Sequence, residues 1–189
     1  MNKLAYGQRH ESAVAVAIPP ADSLSSLEQK LAPHPFSDTT PLFLVVEGIE
    51  KPGNLGAILR TADATGVTAV LIADGGTDLF NPNAIRASRG AIFDLPVAAA
   101  RSEECLAWLR KRGCSIFAAR VDGSQEYTQV DYRGPSAFVL GSEAWGLTKQ
   151  WEGNDIVPIR LPLLGKGDSL NLSVTTAVLC YETLRQRKT

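Results

Sequence analysis

Residues 156–188 read IVPIRLPLLGKGDSLNLSVTTAVLCYETLRQRK. An apolar run ends at Pro162, a loop carrying Gly165 and Gly167 follows, and Ser169-Leu170-Asn171 opens a long amphipathic segment. A loop that brings polar side chains and unpaired backbone N–H groups to a helix start is a place where ligands are held. Ser169 is the expected N-cap of that helix. Leu170, Val174, Ala177, Val178, Tyr181 and Leu184 form its expected buried stripe, and Arg185, Arg187 and Lys188 occupy the end that favours cations. A capped helix alone explains Ser169, but not the two glycines before it.

Upstream, the hydrophobic pattern alternates between two kinds of element. Residues 42–46 (LFLVV), 67–73, 114–119, 136–140 and 156–161 are short apolar runs, as expected of strands buried on both faces. Residues 54–66 carry Leu55, Ile58, Leu59 and Ala62 at helical spacing, with Asn54 as a possible cap and Gly66 at the stop. Asn81-Pro82 starts another short helix, with proline at the first helical position, and residues 103–112 form a further one. Strands alternating with helices imply an α/β fold, a parallel sheet with helices on both faces, whose ligands bind beyond the carboxyl ends of the strands. Residues 1–40 differ. Pro19-Pro20, Pro33, Pro35 and the serines at 23, 25 and 26 read as a linker, preceded by one alternating strand at residues 13–18. The expected organisation is therefore an N-terminal extension or linker over 1–40 and a regular α/β domain over 41–189.

Composition narrows the function classes. A chain of 189 residues with 44% hydrophobic and 21% charged side chains has the make-up of one globular domain that needs no disulfide or metal. The formal net charge of −1 gives no global support for nucleic-acid binding, so such a role must rest on a local patch. Cys105, Cys114 and Cys180 lack metal-ligand spacing, and His10 and His34 lie far from them, so no metal site is expected. No apolar run approaches membrane-spanning length, and a soluble cytoplasmic protein is the expectation.

Two further loops sit at strand ends. Lys51-Pro52-Gly53-Asn54-Leu55-Gly56-Ala57-Ile58-Leu59-Arg60 follows the first buried run. Gly141-Ser142-Glu143-Ala144-Trp145-Gly146 follows the run at 136–140 and puts an acid in a sharp turn. Taken singly, the first is an ordinary capped helix with a solvated or salt-bridged arginine, and the second an ordinary strand-to-helix loop. The chain contains neither GxGxxG nor GxxxxGK[ST], which argues against the dinucleotide and phosphate-loop classes.

Together the three loops resemble the SpoU/TrmH family of SPOUT-superfamily RNA 2′-O-ribose methyltransferases. Asn-x-Gly-x-x-x-Arg is matched by Asn54, Gly56 and Arg60, and Gly-Ser-Glu-x-x-Gly by Gly141, Ser142, Glu143 and Gly146. The third motif is matched by Leu161, Pro162, Gly165, Ser169, Leu170, Asn171, Ser173 and Val174. Asn81-Pro82-Asn83 and Arg86-Ala87-Ser88-Arg89-Gly90 look like the family's segment between the first two motifs. The resemblance covers residues 42–187. It implies a C-terminal trefoil knot that binds S-adenosylmethionine, and a homodimer with the active site completed near the subunit interface. Carried over by position, cofactor contacts fall on Leu140, Gly141, Leu161, Ser169 and Leu170.

The resemblance also implies methyl transfer to a ribose 2′-hydroxyl of structured RNA, ribosomal rather than transfer RNA, with Arg60, Asn54, Glu143, Ser169 and Asn171 as catalytic residues. A guanidinium stays protonated, so Arg60 is expected to bind the neighbouring phosphate and stabilise the developing alkoxide rather than act as a base. Ser169 and Asn171 would orient the arginine or the ribose, and Glu143 would fix the loop or Asn54. RNA contact is expected from Lys51, Arg60, Arg86, Arg89 and Lys166. Trp145 either stacks on a base or is buried in the core or a dimer interface. Longer family members carry an N-terminal RNA-binding domain, of which Ser12–Pro20 resembles only the final strand and linker. The chain thus reads as a short form or a fragment. The competing readings are a non-catalytic RNA-binding or ribosome-assembly factor that keeps the fold, and a methyltransferase acting on small molecules or protein.

Overall fold

The computed structural model describes residues 18–31 and 40–188. The expected alternating strand at 13–18 lies outside the described residues except for Ile18, which is exposed.

The apolar runs become strands because each can bury side chains on both faces. β1 (Leu42–Glu47), β2 (Ala69–Ala73) and β6 (Ser136–Leu140) are buried along their whole length. With β3 (Val97–Ala100), β4 (Ser115–Ala119), β5 (Gln125–Glu126) and β7 (Ile156–Arg160) they make one sheet in the order β3-β2-β1-β6-β4-β7-β5, parallel throughout. Alternation along β1 divides the core. Leu44 and Val46 point into a cluster with Leu55, Ile58 and Leu59 of α2 (Pro52–Ala64) and Leu179 of α6 (Leu172–Arg187). Phe43 and Val45 point the other way, onto Cys105, Leu106, Trp108 and Leu109 of α5 (Ser102–Lys111). Helices therefore cover both faces, as expected.

The register brings Val46, Leu140 and Ile72 level across the three central strands, so their carboxyl ends form one edge. Gly56 decides how α2 meets α3 (Pro82–Ser88). A Cβ there would lie 2.5 Å from the Ala84 carbonyl oxygen and from Ala87 Cβ, so only glycine admits so close an approach.

Four local expectations are corrected. The linker contains α1 (Leu24–Leu31), whose Leu27 is fully buried on the α5 face. Glu28 pairs with Arg112, and the Ala99 N–H of edge strand β3 donates to the Asp22 carbonyl at 2.6 Å. These are tertiary contacts that no local pattern encodes. β3 itself was not expected, because VAAA is short, small-sided and buried over only half its length. Asn54 does not cap α2, which starts two residues earlier with Pro52 in its first turn. Nor does Ser169 cap α6. The N-cap is Asn171, whose Oδ1 accepts from the Ser173 N–H at 2.9 Å.

The buried face of α6 is also not the apolar stripe. Thr176, Leu179, Cys180, Glu182 and Thr183 face inward, whereas Val174 and Tyr181 are exposed and Ala177, Val178 and Leu184 half-buried. Polar groups are tolerated inside because they are satisfied on the helix. Thr176 and Thr183 donate to carbonyls four residues back, and Glu182 accepts from Arg185 and Gln186.

At the far end of α6, Arg187 donates to the carbonyls of Thr40, Pro41, Tyr132 and Gly134 at 2.6–3.2 Å. It ties the helix to the entries of β1 and β6. Arg187→Ala removes a charged donor from four carbonyls, two of them in partly buried bonds, and an unfolding free energy lower by about 1.5–3 kcal/mol is expected in urea titration. A change within experimental error would mean that water replaces the guanidinium without cost.

Candidate functional site

The carboxyl edge carries four loops, following β1, β4, β6 and β7. Between the last three lies a cavity of about 490 Å³. All five positions expected at the cofactor, Leu140, Gly141, Leu161, Ser169 and Leu170, line it. Ile159 and Leu172 extend its apolar wall, while Asp122, Glu143 and Asp168 add acids at its rim. Gly141 is buried with its α-carbon against the backbone of Gly146 and Leu147, so the loop folds flat on the strand end. The turn is closed by a Gly146 N–H to Ser142 carbonyl bond of 3.0 Å, and Ser142 Oγ accepts from the Trp145 N–H.

Beside the cavity the three motifs meet at one carboxylate. Glu143 Oε1 accepts from Asn54 Nδ2 and from Asn171 Nδ2, the latter at 3.3 Å, and Asn171 Nδ2 also lies 3.4 Å from Asn54 Oδ1. Glu143 Oε2 pairs with Lys51. α2 supplies Asn54 from its first turn, and the N-cap geometry of α6 fixes Asn171. The Lys51 pair is largely exposed and adds little stability. Its consequence is positional, since the lysine expected on RNA is held over the acid.

The remaining expected residues do not join this group. Arg60 is exposed, six residues beyond Asn54 and so about 9 Å further along the helix axis. It does not line the cavity of its own chain. Arg86 lies on α3 and Arg89 caps it in a left-handed conformation, both exposed, and Lys166 is exposed on the loop after β7. Trp145 is 87% exposed while lining the cavity, so burial in the core of one chain is ruled out. Sequence reasoning missed Arg120, Val121 and Asp122, which line the cavity from the loop after β4. Their signal was position alone, at the end of a strand neighbouring β6.

The cysteines are not nucleophiles in waiting. Burial pushes the Cys105 and Cys180 thiols up to about 12, and raises Cys114 as well. Among the described residues no cluster of three His, Cys, Asp or Glu side chains could hold a metal, and no helix is long and apolar enough to cross a membrane.

Residues 41–181 match the SpoU rRNA Methylase family. The chain belongs to that family. Among similar SpoU proteins, the 23S rRNA (guanosine-2′-O-)-methyltransferase RlmB of Pseudomonas putida is 35% identical over 153 residues, covering 80% of this chain and 62% of the relative. The AdoMet-bound rRNA methyltransferase of Sinorhizobium meliloti superposes with a TM-score of 0.73 at 32% identity, covering 80% of this chain and 60% of that one. The SpoU methyltransferase AviRb of Streptomyces viridochromogenes gives 0.78 at 26% identity, with 89% and 65% covered. The chain thus spans about three fifths of the curated relatives it matches.

Proposed function

We propose that this SpoU protein is an S-adenosylmethionine-dependent methyltransferase acting on a ribose 2′-hydroxyl of ribosomal RNA. The observation that carries the proposal is the convergence of Asn54 and Asn171, from two other loops, on Glu143, which lines the 490 Å³ cavity. The cavity suits the cofactor in size and chemistry. Its volume falls within the range of roughly 300–1,000 Å³ typical of small-molecule sites. Leu140, Ile159, Leu161 and Leu170 offer an apolar slot for a purine, and Asp122 and Glu143 offer acids for the cofactor's ammonium group. When bound, S-adenosylmethionine supplies a sulfonium methyl that needs no further activation.

The protein's task is then positioning and charge. Glu143 holds Asn54 and Asn171 in one arrangement, and Ser169 at the rim meets the ribose. Arg60 binds the phosphate beside the target and stabilises the alkoxide as the 2′-proton passes to water. Because Arg60 does not reach the cavity of its own chain, the complete site belongs to a homodimer in which one protomer lends Arg60 to its partner. The exposed Val174 and Tyr181 on α6, which packs beside α2, are consistent with such an interface. Arg86, Arg89 and Lys166 complete the RNA face, and RNA releases Lys51 from Glu143.

The C-terminal trefoil knot belongs to the same reading. β6 is inserted between β1 and β4, and the chain leaving β7 returns across the carboxyl edge to pack α6 on α2. Ribosomal RNA is favoured because the curated relatives carry that substrate in their names. Calorimetric titration with S-adenosylmethionine, followed by transfer of labelled methyl to ribosomal and transfer RNA with mapping of 2′-O-methyl sites, tests the proposal. Micromolar binding with label on ribosomal RNA is expected. Absence of cofactor binding would leave an RNA-binding factor, and binding with transfer to neither RNA would leave a methyltransferase for another substrate class.

A further inference from the structure

β1 ends in Glu47, which alternation aims into the same face as Phe43 and Val45. An aliphatic side chain would serve the packing there, yet the position holds a carboxylate only 3% exposed. A buried carboxylate costs several kcal/mol unless donors surround it. Here four do. Oε1 accepts from Ser102 Oγ at 2.5 Å, Thr148 Oγ1 at 2.9 Å and Trp151 Nε1 at 2.9 Å, and Oε2 accepts from the Thr148 N–H at 2.8 Å.

The donors come from two places. Ser102 begins α5, away from the cavity. Thr148 directly follows Leu147, where the loop that walls the cavity comes to an end, and Trp151 closes the short turn after it. Among the described residues, that loop's other bonds are internal to it or lie on the exposed Glu143 cluster. The residue after Glu47 runs beside the loop's entry, where a Cβ on Gly48 would come within 3.4 Å of Ser142 Cβ. The end of β1 thus passes beside the loop's entry and is bonded to the residues beyond its exit.

We infer that Glu47 is a positioning residue for the cofactor cavity, setting the path of residues 141–147 through Thr148 and Trp151. The inference rests on the cofactor reading above but concerns a residue outside all three motifs. Its geometry makes it separable from a simple staple. In Glu47→Gln the amide can keep its oxygen toward the three side-chain donors, but then turns an N–H₂ against the Thr148 N–H. Thr148→Val removes one loop-side bond, and Ser102→Ala removes the helix-side bond alone.

Calorimetry with S-adenosylmethionine, thermal unfolding, and amide hydrogen exchange on the cofactor-free protein distinguish these cases. Glu47→Gln and Thr148→Val are expected to raise the dissociation constant roughly ten-fold or more, with kcat at saturating cofactor and RNA within about three-fold. Both should speed exchange across residues 142–148. Ser102→Ala should lower the unfolding midpoint while leaving the dissociation constant and that exchange unchanged. Equal dissociation constants across all variants, or Ser102→Ala weakening binding as much as Thr148→Val, would reduce Glu47 to a staple of the fold. Should Glu47→Gln not fold, the Thr148→Val and Ser102→Ala pair decides alone. A wild-type protein that binds no cofactor overturns the functional reading instead, and the exchange measurements still decide whether Glu47 holds the loop.

Discussion

Replacing Arg60 by alanine is expected to lower kcat for RNA methylation by about 10²–10³-fold, with the S-adenosylmethionine dissociation constant unchanged. The split follows from where Arg60 lies. It is exposed on α2, outside the cavity of its own chain, and its side chain makes no hydrogen bond or ion pair with other described residues. Removing it costs the cavity nothing, but takes away a planar, permanently charged group able to bind a phosphate and a growing alkoxide together. Arg60→Lys separates charge from base. A rate still well below wild type, with an unchanged pH profile, supports electrostatic stabilisation. Full rate with a new low pKa in the profile would show that position 60 removes the proton. The proposed homodimer adds a test that no single variant provides. Mixing Arg60→Ala with a chain unable to bind cofactor should restore activity in the heterodimer, because one of its two sites then combines an intact cavity with an intact Arg60. If mixing restores nothing, each chain builds its own site and Arg60 must reach its own cavity.

What the amino-acid order revealed, and what it concealed, follows the same physics. β1, β2 and β6 were legible because strands buried on both faces become unbroken apolar runs. β3 was not, since VAAA at a half-exposed edge carries no such run. α1 was hidden because its anchors, Leu27 with the partly buried Leu24 and Leu31, gain meaning only against the α5 face. The inward face of α6 was misread because Thr176, Glu182 and Thr183 satisfy their polar atoms within the helix, which hydrophobic periodicity takes for a solvent face.

The site divides along the same line. Motif spacing named Asn54, Glu143 and Asn171 but could not say that their side chains touch, since 89 residues of chain separate the first two and 28 the last two. Asp122 lies in no motif. Glu47 looked like the end of a strand, because the four donors that explain it are 55 to 104 residues away.

Gly141→Ala should be the most damaging small substitution in the cavity. The backbone angle at Gly141 is not in the left-handed region, so conformational strain is not the reason. Space is. A Cβ would fall closer to the carbonyl carbon and oxygen of Gly146 and to the Leu147 nitrogen than real Cβ atoms ever sit. All three are backbone atoms, and no side chain can rotate away to make room. The turn closed by the Ser142–Gly146 bridge must lift as a unit, carrying Glu143, Trp145 and Leu147 off the cavity wall. Overpacking of this kind costs about 1–3 kcal/mol of stability. The larger effect falls on the cofactor, whose dissociation constant should rise by roughly 100-fold, about 2.7 kcal/mol. Gly53→Ala is the matched control, since its new methyl meets nothing within 4 Å on the exposed first turn of α2. It should leave cofactor binding unchanged and raise stability by about 0.4–1 kcal/mol. If Gly141→Ala binds S-adenosylmethionine as tightly as Gly53→Ala, residues 142–147 can lift without cost to the ligand. The flat seat of that loop on the end of β6 would then not be what shapes the site.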